Sequence, residues 1–183
     1  MKKLIWFAIV IIALVTTSCQ EKTDVEKEKA EINAAIENFM NDRSELNYEG
    51  WINAWTDDPS SFLSWSWNDG HTFILLDDWK KNGKNEYDQL IQEQKEGAYS
   101  VIIEPLDITI QVYQDAAWAH FNINWNKVFE EDNKTEELMT SFTILTFVKQ
   151  DGEWKISSLS SALTSFYEET VSLEEIIEKE ETE

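Results

Sequence analysis

The sequence is poor in the residues that most enzymes and metal proteins lean on: it has one cysteine and two histidines. A single cysteine excludes an internal disulfide framework. His71 and His120 stand far apart with no thiol partner, which gives no zinc-type ligand spacing. Two prolines and five glycines leave no linker-like tract. None of the glycines sits in a phosphate-cradling loop or a dinucleotide fingerprint, and the serine elbow of hydrolases is missing. No segment spaces oxygen ligands around a glycine turn as a calcium loop does. The expectation is no metal and no cofactor. Positive charge is scarce too: 15 lysines and arginines face 36 acidic residues, a net charge of −21. Such a chain lacks the basic footprint of nucleic-acid binding and is repelled by anionic lipid surfaces. The acidic pairs Asp57-Asp58, Asp77-Asp78 and Glu130-Glu131 read as solvated loop charge.

Long apolar runs are also lacking, with one exception. Leu4 to Val15 is unbroken, preceded by Lys2 and Lys3 and followed by Thr16, Thr17, Ser18 and Cys19. This order of charge, apolar run and small residues is that of an export signal. The run falls short of the roughly 20 residues of a permanent span. The segment LVTTSC resembles the lipobox of bacterial lipoproteins, with Thr16 where leucine is commonest. The resemblance implies removal of residues 1–18 and a diacylglycerol on the Cys19 thiol. Two or more acyl chains anchor stably, so the expected place is the cell envelope. The acyl chains would tie the protein to a bacterial membrane, the outer one, on its periplasmic or surface side. Residues 19–27 would be a polar tether.

What the chain has in quantity is tryptophan, nine in all. Aromatic side chains of this size fill cores, pockets and interfaces. Residues 24–46 repeat apolar side chains at helical spacing: Val25, Ile32, Ala35, Ile36, Phe39 and Met40. A short helix is expected at 48–56, with Trp51, Ile52 and Trp55 on one face. Phe62 to Trp67 alternates as a strand, Trp65 and Trp67 on one side, Ser64 and Ser66 on the other. Asn68-Asp69-Gly70 turns the chain into a strand at 72–76, and residues 85–96 read as a helix. Then come strands at 100–113, 117–129, 136–149 and 153–163. Pro105 marks an edge or bulge in the first of these, and Asp151-Gly152 is a hairpin turn. In the second, Ala119, Phe121, Ile123 and Trp125 face a core, while Trp118, His120, Asn122 and Asn124 share the other face. Ser172 and Glu175 fit a capping box for an acidic helix at 173–180, within a tail from 169. Helices collected on one face of an antiparallel sheet make an α+β fold.

The segment TSFTILTFVKQDGEWKISSL, with Val148-Lys149, Asp151-Gly152 and Trp154-Lys155-Ile156, resembles the closing hairpin of the nuclear transport factor 2-like superfamily. That superfamily includes SnoaL-like cyclases and ketosteroid isomerase-like proteins. Asp115-Ala116-Ala117-Trp118 resembles the turn that opens the preceding long strand. The resemblance covers about 28–168. It implies a cone: a strongly curved antiparallel sheet wrapped around N-terminal helices, with a pocket at one end and, in many members, a dimer through the outer sheet face. Relatives place histidines on the pocket side after the closing Trp-Lys-Ile. Here Ser158 and Ser160 stand there, and serine does not shuttle protons near neutral pH as histidine does.

The candidate pocket comprises Trp51, Trp55, Trp65, Trp67, His120, Trp125, Ser158 and Ser160. No catalytic residue is assigned; Asp57 and Asp69 are weighed as bases and set aside as turn aspartates. Three readings stay open: a lipid-anchored domain that binds a small, partly apolar ligand or a partner protein; an isomerase- or cyclase-type enzyme using a buried carboxylate or His120; and a structural envelope protein acting through a homodimer or hetero-complex surface.

Overall fold

The computed structural model describes residues 24–67 and 70–166. Cys19, Asp69 and the expected helix at 173–180 lie outside them. Helix α1 spans 24–44, followed by α2 (Tyr48–Asn53), β1 (Phe62–Trp67), β2 (Gly70–Leu75) and α3 (Leu76–Glu96). Four long strands complete the fold: β3 (Tyr99–Tyr113), β4 (Ala116–Phe129), β5 (Thr135–Gln150) and β6 (Glu153–Phe166). None of the described helices is long and apolar enough to cross a membrane.

The six strands form one open sheet in the order β2-β1-β6-β5-β4-β3. The expected all-antiparallel arrangement is corrected at one seam, where β1 runs parallel to β6, pairing Leu63 with Leu159 and Trp65 with Ser161. The sheet is therefore mixed. The connection from β1 to β6 carries the rest of the chain, which is how two strands so distant in sequence can run in the same direction. The last four strands are a meander joined by tight turns. At the β5–β6 turn Asp151 and Gly152 both take positive φ, 53° and 87°, as a two-residue hairpin matched to strand twist requires. Pro105 lies in the edge strand β3, two residues from an irregularity between Leu106 and Thr109. There its missing N–H costs the ladder little.

One face of the sheet is apolar and carries the helices. Ile32, Ile36 and Phe39 of α1 pack with Ala119, Phe121, Leu145, Phe147 and Ile156 of the sheet, all nearly inaccessible. The closing motif fastens helices to this layer. Lys149 donates to both Glu28 carboxylate oxygens at 2.6 Å, and the Trp154 indole N–H donates to one of them at 2.6 Å. Ile156 N–H donates to Ala54 O at 2.9 Å, and Thr56 N–H to Ile156 O at 3.0 Å. The Lys155 ammonium donates to Asn53 O at 3.2 Å. The Trp-Lys-Ile signature thus ties the end of α2 and the start of α1 to one hairpin.

Helix α3 is longer than its sequence pattern suggests, beginning at Leu76 rather than 85. Asp77 and Asp78, expected in a loop, occupy its first turn, where negative charge suits the exposed N–H groups. Gly83 interrupts the apolar period for a packing reason. A Cβ there would stand 2.6 Å from the Trp79 Nε1, so the indole lies flat over the glycine.

Candidate functional site

Beyond the packed end of the core the two layers part, leaving a cavity of about 350 Å³. Its roof comes from helices. Phe39, Met40 and Arg43 descend one side of α1, Trp51 comes from α2, and Trp79 and Glu86 from α3. The floor is the sheet, and alternation decides which side chains reach it. Strand β1 contributes Leu63, Trp65 and Trp67; β4 contributes Ile123 and Trp125; β5 contributes Met139, Ser141 and Thr143. Strand β6 supplies Leu159, Ser161 and Leu163. Trp67, 47% exposed, and the exposed Glu86 mark the mouth.

The aromatic wall is continuous. Trp51 stacks on Phe39 at 5.4 Å and meets Trp79 at 5.8 Å; Trp79 meets Trp65 edge-on at 5.9 Å. Such pairs contribute about 0.5–1.5 kcal/mol each beyond area burial. They also hold large rings in place around an open space. The floor's hydroxyls largely satisfy one another. Thr143 and Ser161 share a hydrogen bond of 2.9 Å, and Trp125 Nε1 donates to Ser141 Oγ at 3.4 Å. Arg43 is different. Its guanidinium carbon lies 4.7 Å from the centre of the Tyr87 ring, and its buried Nη1 has no hydrogen-bond partner in the protein. The Tyr87 hydroxyl is buried as well, beside that guanidinium. Burial pushes its pKa up, opposed by the Arg43 charge.

The structure brings Trp51, Trp65, Trp67 and Trp125 together in the cavity wall. The other four expected residues lie elsewhere. Trp55 is buried one layer behind, 5.4 Å from Trp51, in a parallel bridge to Ile156. His120 is on the opposite face of the sheet, stacked on Trp118 at 5.4 Å and near Phe142 at 5.6 Å. Ser158 and Ser160 also point away from the cavity. Ser158 bonds Thr146 Oγ1 at 2.6 Å, and Ser160 bonds Ser64 at 2.9 Å.

The cause is a β-bulge. Thr146 pairs with Ser158 and Phe147 with Ile156, so Ser157 is an extra residue. One extra residue reverses the alternation: Trp154 and Ile156 face inward before it, Leu159, Ser161 and Leu163 after it. Asp57 is exposed and accepts from the Gln150 amide at 3.2 Å; it does not line the cavity either. His71 is exposed on β2, with its Nδ1 2.8 Å from Ser66 Oγ.

Most of the lining was absent from the expected pocket, and Arg43 and Trp79 are the two such residues with the most distinctive chemistry. Arg43 continues the α1 stripe of Ile32, Ile36, Phe39 and Met40 by one further step. A charged residue in phase with an apolar stripe was the available signal. Trp79 was hidden in the half of α3 that reads as loop.

The sequence matches the SnoaL-like domain family over residues 32–164. No curated protein matches it. Among solved structures, a nuclear transport factor 2-like protein with a cystatin-like fold from Novosphingobium aromaticivorans superposes with a TM-score of 0.62 at 12% identity, covering 88% of this chain and 94% of that one. A nuclear transport factor 2-like superfamily protein from Salmonella enterica gives 0.56 at 15% identity over 81% and 99%. A hexachlorocyclohexane dehydrochlorinase from Novosphingobium barchaimii gives 0.56 at 14% over 82% and 96%. At these identities the structures share the fold. The family match extends over most of the chain, and with the open sheet and its helical cover it makes this protein a member of the SnoaL-like domain family, built on the nuclear transport factor 2-like fold.

Proposed function

We propose that this chain is a lipid-anchored protein of the bacterial cell envelope whose SnoaL-like domain binds a small, largely apolar molecule. The binding half of this reading is carried by one observation: a cavity of about 350 Å³ walled by tryptophans. Drug-sized ligands occupy pockets of roughly 300–1,000 Å³ with mostly apolar walls and few polar groups. The anchor half is carried by Cys19 and the residues before it. A titration of tryptophan emission with octanol, a neutral apolar probe, tests binding. A saturable spectral change, lost in Ser161→Phe, which fills the floor, is the expected outcome. A linear, unsaturable response would count against it. Intact mass spectrometry of the membrane-extracted protein tests the anchor. The expected species begins at Cys19 and carries acyl mass; an unmodified Cys19 would refute it.

The enzyme reading has one point in its favour, the dehydrochlorinase among the fold's neighbours. Eliminations and isomerisations need a base within reach of the bound molecule. His120 faces the other side of the sheet, so among the described residues the base would have to be Glu86 at the mouth. Glu86 is exposed to water, outside the apolar interior that would shelter a reacting molecule, which is why binding is the stronger reading.

A further inference from the structure

We infer that the occupant of the cavity is a monoanionic amphiphile: an apolar body held by the tryptophans, with one carboxylate bound to Arg43. This deepens the binding reading above and rests on it.

The chain has one arginine among 36 acidic residues, yet that arginine makes no ion pair among the described residues. Exposed arginines in so acidic a protein find carboxylates easily. Arg43 is instead turned inward on α1, one turn beyond Phe39 and Met40, and lines the cavity. The Tyr87 ring, 1% exposed, supports one face of the guanidinium. Tyr87 is itself braced edge-on by Tyr48 at 5.3 Å, so the planar fork has a defined seat. Its Nη1 is buried with no acceptor.

A buried donor on a charged group without a partner is costly, and a partly desolvated cation even more so. The lining's hydroxyls, Ser141, Thr143 and Ser161, are hydrogen-bonded within the wall and carry no charge to balance the guanidinium. Arg43 lines the cavity, and a ligand carboxylate there supplies the counter-charge that no described side chain gives it. Guanidinium and carboxylate match as planar forks with two parallel hydrogen bonds. With one cation in the wall, a single negative charge is balanced. Glu86, the acidic residue in the lining, sits at the mouth and disfavours a second.

Octanoate and octanol share the same alkyl body and differ at the head, so their comparison isolates the anion. The full-length protein, reconstituted in neutral lipid nanodiscs, is titrated with each and followed by tryptophan emission, with empty discs as the blank. Octanoate is expected to bind about 10- to 100-fold tighter than octanol, the span of a hydrogen bond to a charged partner. In Arg43→Met that ratio should fall to about one, with octanol affinity retained. Retained octanol binding shows that the variant's pocket is intact. Arg43→Lys, which keeps the charge but loses the fork, should fall between them. Equal binding of the two probes to the native protein, or an unchanged ratio in Arg43→Met, would overturn the carboxylate assignment and leave the apolar pocket standing. Binding of neither probe would overturn both.

Discussion

Glu28 shows how one side chain can fasten two parts of a fold. Its carboxylate is only 21% exposed and accepts from Lys149 and Trp154. The Lys149 ammonium, against the opposing effect of burial and with help from the Trp154 N–H, holds its pKa below the usual 4.5. The same contact raises Lys149 above its usual 10.5. The sign of the linkage follows. The carboxylate's contribution is fully present above 4.5, where it is ionised in the unfolded chain as well. It is lost as pH falls through the lowered folded pKa. The ammonium's contribution is lost as pH rises through the raised folded pKa of Lys149. Glu28→Gln should therefore cost about 1–3 kcal/mol near neutral pH, measured by urea unfolding. The difference from the native protein should shrink toward zero below pH 4.5. A cost that is the same at neutral and acid pH would mean that the pair matters through packing alone. Nothing in the sequence joined Glu28 to Lys149; only the folded hairpin brings them together.

At the scale of the elements, the periodic ones were legible. The apolar stripe of α1, the alternation of β1 and β4 and the Asp151-Gly152 turn all translate directly into observed structure. Two local irregularities were not legible. The bulge at Ser157 leaves no mark in a run as uniform as ISSLSSAL, yet it turns Ser158 and Ser160 out of the pocket and Leu159 and Ser161 in. An isolated glycine lowers helix propensity by about 1 kcal/mol, yet Gly83 lies within α3. Its real task is to let Trp79 lie flat. Gly83→Ala should therefore leave helix content unchanged while displacing Trp79 from the cavity wall. The expected readout is octanol affinity reduced several-fold, with circular dichroism unaltered. Asn82→Ala, on the exposed side of the same helix, is the control and should bind as the native protein does. Equal affinity in the two variants would mean that Trp79 does not shape the site.

For the molecule as a whole, nine tryptophans leave two outcomes open at sequence level, a filled core or a lined cavity. Composition cannot separate them, because both call for large apolar side chains. The fold does so by position. Trp55, Trp154, Phe121, Phe147 and smaller apolar residues fill the packed core between helices and sheet. Trp51, Trp79 and Trp65 touch in series along the wall of the cavity, and Trp125 stands in the same lining. The cavity stays open between helices and sheet, while His120 and Trp118 belong to the outer face of the sheet.

The most direct test is a native mass spectrum of the protein released from membranes, recorded beside Ser161→Phe prepared in the same way. The native protein should retain a small molecule, or take up octanoate at a ratio of one per chain, and the filled variant should do neither while keeping its circular dichroism. A native protein that stays bare at saturating octanoate, or a filled variant that binds it equally well, would contradict a ligand in the tryptophan-lined cavity.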